Sequence, residues 1–472
     1  MNIAIILMPL CRRDRPLADL GMNIALLKKE HKVFLFDLNN EIFLSCFKAR
    51  SYWKYLHMDP DSDRDISFWQ EIEPLCNYFA SKILDCNPDV IVFEAIGNTF
   101  INSERMTRLL KEKKPNIPII FIGLFHKSKE EIENFILNQK KHPQDFIIIG
   151  YEEIALPKLV ASLENNEFKS DFKNLFSTYD KIIDATKVEV PENLDHLPFF
   201  DFTDFDLNRY KDPSFLEIYT SRGCIWRCKF CSDWQPQGKY RSMSGRRIFN
   251  EFINQSKLHK NVNHIRMVDL AINLNIDALN EFCDLMIEAK NNGMRNIFWS
   301  GDAIIHPGMT KELILKMRKA GCVGIGYGLE SGSERVIKSI GKKFSIPLAE
   351  EVIKNTHNSG IKTSINIITG LPAETEKDFE QTINFINRNK NYIDEIRLTF
   401  MSYVIRKNSA FFEYAEKIGI KSKETEYWFT DDKKNTYEER IKRFDRLKEF
   451  VLSLGIDLRV GGRILKKAGI QE

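Results

Sequence analysis

Three cysteines, Cys224, Cys228 and Cys231, stand four and three positions apart in the run Ser221-Arg222-Gly223-Cys224-Ile225-Trp226-Arg227-Cys228-Lys229-Phe230-Cys231. Three soft thiolates on one short loop can hold three corners of a cubane iron–sulfur cluster. A structural zinc site is the competing use of such thiolates, but zinc needs a fourth ligand, and the nearest histidine is His259. Cys283 sits in an amphipathic stretch and Cys322 opens an apolar one, so both read as core thiols. Plain structural thiols are the third reading, although nine cysteines scattered over 472 positions seldom fall into this triplet. The cluster is the reading the spacing favours. An odd number of cysteines in a long chain also argues against a disulfide framework and for reduced thiols.

The loop must be carried by something, and the sequence around it supplies a repeating frame. Strand-like runs at 215–220, 264–268, 296–300, 322–327, 362–368 and 395–400 alternate with helical patterns at 277–290, 310–319, 347–359 and 376–387. Six β-α units predict a (β/α)6 partial TIM barrel over residues 214–405, with chemistry at the carboxyl ends of its strands. The cysteine loop follows the first of these strands.

Residues 1–163 hold an earlier alternating series. Strands are predicted at 2–8, 32–36, 89–93, 118–123 and 145–149, with helices at 17–29, 104–112 and 130–138 and further helices within 38–88. That order predicts a doubly wound, Rossmann-like parallel sheet that binds ligands at its carboxyl edge. Residues 164–213 lose periodicity and read as a linker laid over the surface. Residues 406–472 read as a charged helical region, with a helix at 437–454; Trp428–Asp432 reads as core aromatics, with a segment folded over the active site as the alternative. The fold class is α/β throughout.

Composition narrows the function further. Hydrophobic residues make 43% and charged residues 29% of the chain, which excludes wholesale disorder. Lys and Arg number 69 against 66 Asp and Glu, a net charge of +3, so no nucleic-acid partner is indicated. No apolar run is long enough for a membrane span, the first ten residues read as a buried strand, and a cytoplasmic location is expected.

At the cysteine loop the chain resembles the radical S-adenosylmethionine (SAM) superfamily, whose three cysteines share this spacing with an aromatic, here Phe230, before the last. The resemblance implies a [4Fe–4S] cluster on Cys224, Cys228 and Cys231, with SAM chelating the fourth iron. It further implies an external electron donor of flavodoxin or ferredoxin type and a 5′-deoxyadenosyl radical acting on a small-molecule substrate. Gly328-Leu329-Glu330-Ser331-Gly332-Ser333 is similar to the family's Gly-Glu-Ser turn, which makes Glu330 and Ser331 SAM contacts; helix capping by Ser331 or Ser333 is the structural alternative. Asp269 ends the second barrel strand, where relatives place a polar residue near the methionyl amine, although an Asp there also suits a turn. Ile367-Ile368-Thr369-Gly370-Leu371-Pro372-Ala373-Glu374-Thr375 looks like the family's fifth-strand motif that packs on adenine, with Gly370 as the contact. Ordinary loop punctuation is its alternative. Tyr240 and Arg241 follow the loop closely enough to reach the site.

The first domain resembles the cobalamin-binding domain that precedes many of these enzymes. Pro16-Leu17-Ala18-Asp19-Leu20-Gly21, Lys29-Glu30-His31-Lys32-Val33 and Asp145-Phe146-Ile147-Ile148-Ile149-Gly150 carry the likeness. An Asp-x-His-x-x-Gly motif is missing. The family's Gly-Gly-Pro-His loop reads Gly123-Leu124-Phe125-His126, and its Gly-Glu-Gly-Glu loop reads Gly150-Tyr151-Glu152-Glu153. The resemblance implies cobalamin contacts at Gly123, His126, Gly150 and Glu152, with a vestigial or substrate-docking domain as the alternative. The expected function is cobalamin-dependent methyl transfer to an unactivated centre of a small molecule. A cobalamin-independent radical SAM enzyme, or a non-enzymatic iron–sulfur electron-transfer protein, stands as the alternative. Methylthiolation would need a further cysteine triplet, and no residue is assigned as catalytic.

Overall fold

Runs rich in Ile, Val and Phe form the strands, and amphipathic stretches between them form the helices. The computed structural model describes residues 1–55, 62–124, 144–166, 175–177, 189–233, 238–398, 403–460, 463–466 and 469–471. The chain divides into two units, Met1–Ile218 with Ile253–Val262, and Tyr219–Phe252 with Asn263–Glu472.

The first unit contains β1 (Asn2–Leu7), α1 (Ala18–Leu27), β2 (Lys32–Asp37), α2 (Leu38–Ser45), α3 (Asp63–Asp85) and β3 (Val90–Glu94). These are followed by α4 (Thr99–Lys113), β4 (Ile119–Ile122), β5 (Phe146–Ile148), α5 (Glu152–Asn165), β6 (Leu175–Ser177) and β7 (Phe215–Ile218). Strand order in its sheet is β2-β1-β3-β4-β5-β6, parallel from β2 to β5 and antiparallel at β6. β1, β3 and β4 are almost wholly apolar and buried, as expected of strands covered on both faces. α4 begins five residues earlier than the sequence pattern suggests, because its first turns bury polar side chains. Asn102 Nδ2 donates to Pro9 O at 2.8 Å and Ser103 Oγ donates to Thr99 O at 2.6 Å. The helix predicted at 130–138 lies outside the described residues.

The predicted linker is tied down where it is described. Asp201 N donates to Gly21 O at 3.1 Å, and Tyr210 OH donates to Asp37 Oδ2 at 2.5 Å. A Cβ on Gly21 would stand 2.5 Å from the Phe202 ring, so this glycine admits the segment against α1.

The second unit holds β8 (Ser221–Arg222), β9 (Arg241–Ser242), β10 (His264–Met267), α6 (Ile276–Asn291), β11 (Phe298–Ala303), α7 (Lys311–Ala320) and β12 (Cys322–Glu330). Next come α8 (Glu334–Ser339), α9 (Ile346–Asn358), β13 (Lys362–Ile367), α10 (Glu376–Asn389), β14 (Glu395–Leu398) and α11 (Tyr437–Ser453). Three strands, β15 (Asp457–Val460), β16 (Arg463–Lys466) and β17 (Gly469–Gln471), finish the chain. Within this unit the curled sheet runs β10-β11-β12-β13-β14-β15-β16-β17, parallel as far as β15 and antiparallel thereafter. The last region is thus helical only in part: α11 leads into β15, which extends the parallel run beside β14.

One face of this sheet packs on helices. Trp299 meets Phe282 of α6 edge-on at 5.5 Å, and Tyr327 OH bonds Thr356 Oγ1 of α9 at 2.8 Å. The opposite face is charged. Arg266 pairs with Asp302 at 2.6 Å, Asp302 with Arg397 at 2.8 Å, and Arg397 with Glu395 at 2.7 Å. Gly326 makes that ladder possible, because a Cβ there would run into Asp302 Oδ1 and stand 2.5 Å from Arg397 Nη1. Among the described residues no helix is long and apolar enough to cross a membrane.

Candidate cluster and cofactor site

The cysteine loop is an excursion between two short paired strands. β8 and β9 pair antiparallel, Ser221 with Ser242 and Arg222 with Arg241. Gly223 turns the chain out at φ +79°, where a Cβ would come within 3.0 Å of Gly238 O and Lys239 O. Backbone bonds then pin the loop: Lys229 N donates to Ile340 O at 2.9 Å, Cys231 N to Cys228 O at 3.1 Å, and Phe411 N to Lys229 O at 3.0 Å.

The sulfurs sit among donors. Trp226 N donates to Cys224 Sγ at 3.3 Å, and Asp233 N donates to Cys231 Sγ at 3.4 Å. Burial raises the Cys224 thiol above its usual range, against the Trp226 N–H and the Lys342 charge. Burial likewise pushes Cys228 up to about 11, with Lys342 opposing. Without metal these groups are therefore thiols, and binding iron must expel their protons. Among the described residues no three His, Cys, Asp or Glu side chains gather as the ligand set of a single ion would. Three thiols on one pinned loop suit the corners of a cubane cluster.

A cavity of about 240 Å³ opens beside Cys231. Phe230, Glu330, Asn366, Thr369, Tyr403 and Arg406 are among its lining residues. Glu330 reaches it from the end of β12, where the pairing with β13 shifts register and Glu330 itself takes φ +68°. Such a backbone is costly for a residue with a side chain and tends to persist at functional sites. Lys342, after α8, places Nζ 3.0 Å from Glu330 Oε1 and 5.8 Å from the Trp226 ring centroid. Its ammonium links the acid of the cavity to the cysteine loop.

The other residues singled out in sequence have different surroundings. Asp269 is buried and accepts from Thr220 N and Thr220 Oγ1 at 2.9 Å each, from Ser221 Oγ at 2.6 Å, and from Ser221 N. It fastens the chain just before the cysteine loop. Ser331 is fully buried: its Oγ accepts from Ser333 N at 3.1 Å and meets Thr382 Oγ1 at 3.2 Å. Ser333 does not cap α8 with its side chain, but donates to Asp378 Oδ1 at 2.6 Å. Gly370 N donates to Glu374 Oε2 at 2.7 Å, and the Gly370 turn, at φ +80°, lies against the Arg440 stem of α11. Of the residues expected at SAM, Phe230 and Glu330 line the cavity, whereas Asp269, Ser331 and Gly370 are not among its lining residues. Burial first, and then the charge of nearby Asp269, lift the Tyr240 phenol to about 12. Lys342, Asn366, Tyr403 and Arg406 escaped the sequence reading, and no local pattern marks them.

In the first unit, Gly123 and Gly150 follow β4 and β5 with φ of +84° and +79°. Glu152 Oε1 accepts from Gly123 N at 2.8 Å, and Glu94, the last residue of β3, lies against the same glycine. His126 lies outside the described residues.

Residues 218–386 match the radical SAM superfamily, so this stretch of the chain is a radical SAM domain. Three similar proteins illustrate the likeness. An uncharacterised methyltransferase of Pyrococcus horikoshii is 24% identical over 316 residues, covering 66% of each chain. The radical SAM methyltransferase TsrM of Kitasatospora setae, solved with tryptophan and a SAM analogue, aligns with TM-score 0.62 and 12% identity over 88% of this chain and 76% of its own. The cobalamin-dependent SAM radical enzyme OxsB, solved with aqua-cobalamin and SAM, aligns with TM-score 0.62 and 18% identity over 95% of this chain. The chain spans 56% of OxsB and just under two thirds of the Pyrococcus protein. At these identities the structural likeness concerns the fold, which both units share with those proteins.

Proposed function

We propose that this chain is a radical SAM enzyme that binds a [4Fe–4S] cluster on Cys224, Cys228 and Cys231, seats SAM in the cavity beside Cys231, and uses cobalamin for methyl transfer to an unactivated centre of a small molecule. The observation that carries the reading is the pinned cysteine loop at a cavity whose lining includes Cys231, Phe230 and Glu330.

Cys224, Cys228 and Cys231 would hold the cluster, which would supply the electron, drawn from an external flavodoxin- or ferredoxin-type donor, for reductive cleavage of the SAM sulfonium to methionine and a 5′-deoxyadenosyl radical. The chain's own residues prepare that event. Trp226 and Asp233 N–H groups stabilise thiolate sulfur. Glu330, paired with Lys342, offers acceptor oxygens to hydroxyl or ammonium groups of SAM. Phe230 supplies an apolar wall, and Asn366 and Thr369 supply hydrogen-bonding groups.

The first unit's own residues support cobalamin at one point. Gly123 turns the chain at φ +84° where β4 ends, with Glu94 packed against it, and Glu94 Oε2 is buried with no hydrogen-bond partner among the described residues. When bound, cobalamin supplies a methyl carrier, which a carbon radical requires because it is no nucleophile toward SAM. The fold likeness to OxsB and TsrM supports the same reading.

The test is anaerobic reconstitution with iron, sulfide and hydroxocobalamin, followed by metal analysis and turnover with SAM labelled in its methyl group. Iron with about one cobalt per chain, and label leaving SAM for a second molecule, is the expected result. Iron without cobalt, and 5′-deoxyadenosine formed without methyl transfer, would replace it with the cobalamin-independent alternative.

A further inference from the structure

The carboxyl edge of the first unit's sheet holds two acids that neither the core nor an ion pair accounts for. Glu94 and Glu152 are each 2% exposed. Glu94 Oε1 occupies the space a Cβ on Gly123 would need, and Glu152 Oε1 accepts from Gly123 N. The two side chains thus meet over the end of β4. Among the described residues neither is paired with a cation. One helical turn beyond Asp19, Asn23 of α1 is 1% exposed, and its Nδ2 likewise lacks a partner among the described residues. An orphaned buried polar group costs about 1–3 kcal/mol, so such atoms at a ligand-binding edge point to something that completes them.

The protonation of the pair indicates what that is. Burial, with the charge of Asp19, lifts Glu94 to about 8. Burial also raises Glu152 well above the carboxylate range, reinforced by Glu94, Asp19 and Glu153 and opposed by Gly123 N. A protonated carboxyl offers one O–H donor and one acceptor oxygen, the complement of a primary carboxamide. A divalent cation suits the place less well, since among the described residues no three acids, cysteines or histidines gather as the ligands of one ion would.

We propose that Glu94 and Glu152 form a hydrogen-bonding floor that reads primary-amide groups of the ligand seated at this edge. This rests on the cobalamin reading, and the ligand's amides are then those on the rim of the corrin.

Glutamine preserves a donor and an acceptor at either position, whereas leucine keeps the bulk and removes both. Hydroxocobalamin is the probe, with its dissociation constant read by equilibrium dialysis and absorption on the full chain, with iron content as the control for the second unit. Glu94→Gln is expected to bind within about threefold of the native chain, and Glu94→Leu at least tenfold more weakly. Glu152→Gln and Glu152→Leu should repeat the contrast, which keeps the test decisive if one leucine variant fails to fold. Native-like binding by both leucine variants overturns the proposal while leaving cobalamin binding intact. A native chain that retains no hydroxocobalamin overturns the cobalamin reading itself, and this inference with it.

Discussion

Lys342 Nζ stands 3.0 Å from Glu330 Oε1, and both side chains are buried, at 5% and 8% exposure. Lys342 also donates to Gly328 O at 2.5 Å, so the ammonium holds both the strand end and its acid. Removing one partner of such a pair leaves an uncompensated buried charge, a loss of about 3–5 kcal/mol. Lys342→Met should therefore lower unfolding stability by that order and weaken SAM binding at least tenfold, while Lys342→Arg recovers part of both. Urea unfolding and equilibrium dialysis with SAM check this. A methionine variant equal to the native chain in both would remove Lys342 from the site.

Asp269 gathers two backbone N–H groups and two hydroxyls from Thr220 and Ser221. Its deletion strands four donors immediately before the cysteine loop. Asp269→Ala is expected to cost about 2–4 kcal/mol and to reduce iron retention after reconstitution. Asp269→Asn should be milder, since one acceptor oxygen remains. Full iron retention by the alanine variant would show that the loop keeps its shape without this anchor.

Gly326 lets Asp302 reach Arg397 across β12. Gly326→Ala must displace one of them, which predicts a loss of about 1–3 kcal/mol. Combining it with Asp302→Ala should cost less than the sum of the two changes, as coupled neighbours do. Strict additivity in a double-mutant cycle would contradict the crossing.

Much of this frame was legible in sequence, for local reasons. Strands such as Asn2–Leu7 and Ile119–Ile122 are compact apolar runs, and helices such as Lys311–Ala320 carry their own N-cap, Thr310. The cysteine loop is legible because its chemistry depends on spacing within eight residues. β15 was not, since Asp457–Val460 is short, half charged, and becomes a strand only by pairing with β14. Lys342 comes to Glu330, and Tyr403 and Arg406 to the cavity, from distant points in the chain, and nothing local distinguishes them from other surface-type residues. The 328–333 turn was found by its pattern, yet only the structure separates Glu330, which faces the cavity, from Ser331, which is spent on Ser333 and Thr382.

Glu94 gives a pH signature with a defined sign. Its folded value, about 8, lies above the ordinary 4.5 because burial, then Asp19, penalises the anion. The folded chain therefore keeps a proton that the unfolded chain releases, and the free energy of unfolding falls as pH rises from 4.5 to 8. Below that window the group costs nothing. Glu94→Gln removes the titration, so the variant should match the native chain near pH 4.5 and exceed it by about 2–4 kcal/mol above pH 8. Glu152 contributes with the same sign and remains in the variant. Thermal unfolding across pH 5–8.5 reads the difference, and a constant gap between the two proteins would contradict it.

The central claim is that Cys224, Cys228 and Cys231 hold the cluster that cleaves SAM. Its most direct test compares the native chain with the triple Cys→Ala variant, both reconstituted anaerobically with iron and sulfide and given SAM and dithionite. Iron content and 5′-deoxyadenosine are measured in each. The native chain should hold about four irons and release 5′-deoxyadenosine, and the variant should do neither. Release of 5′-deoxyadenosine by the variant at the native rate would contradict the account.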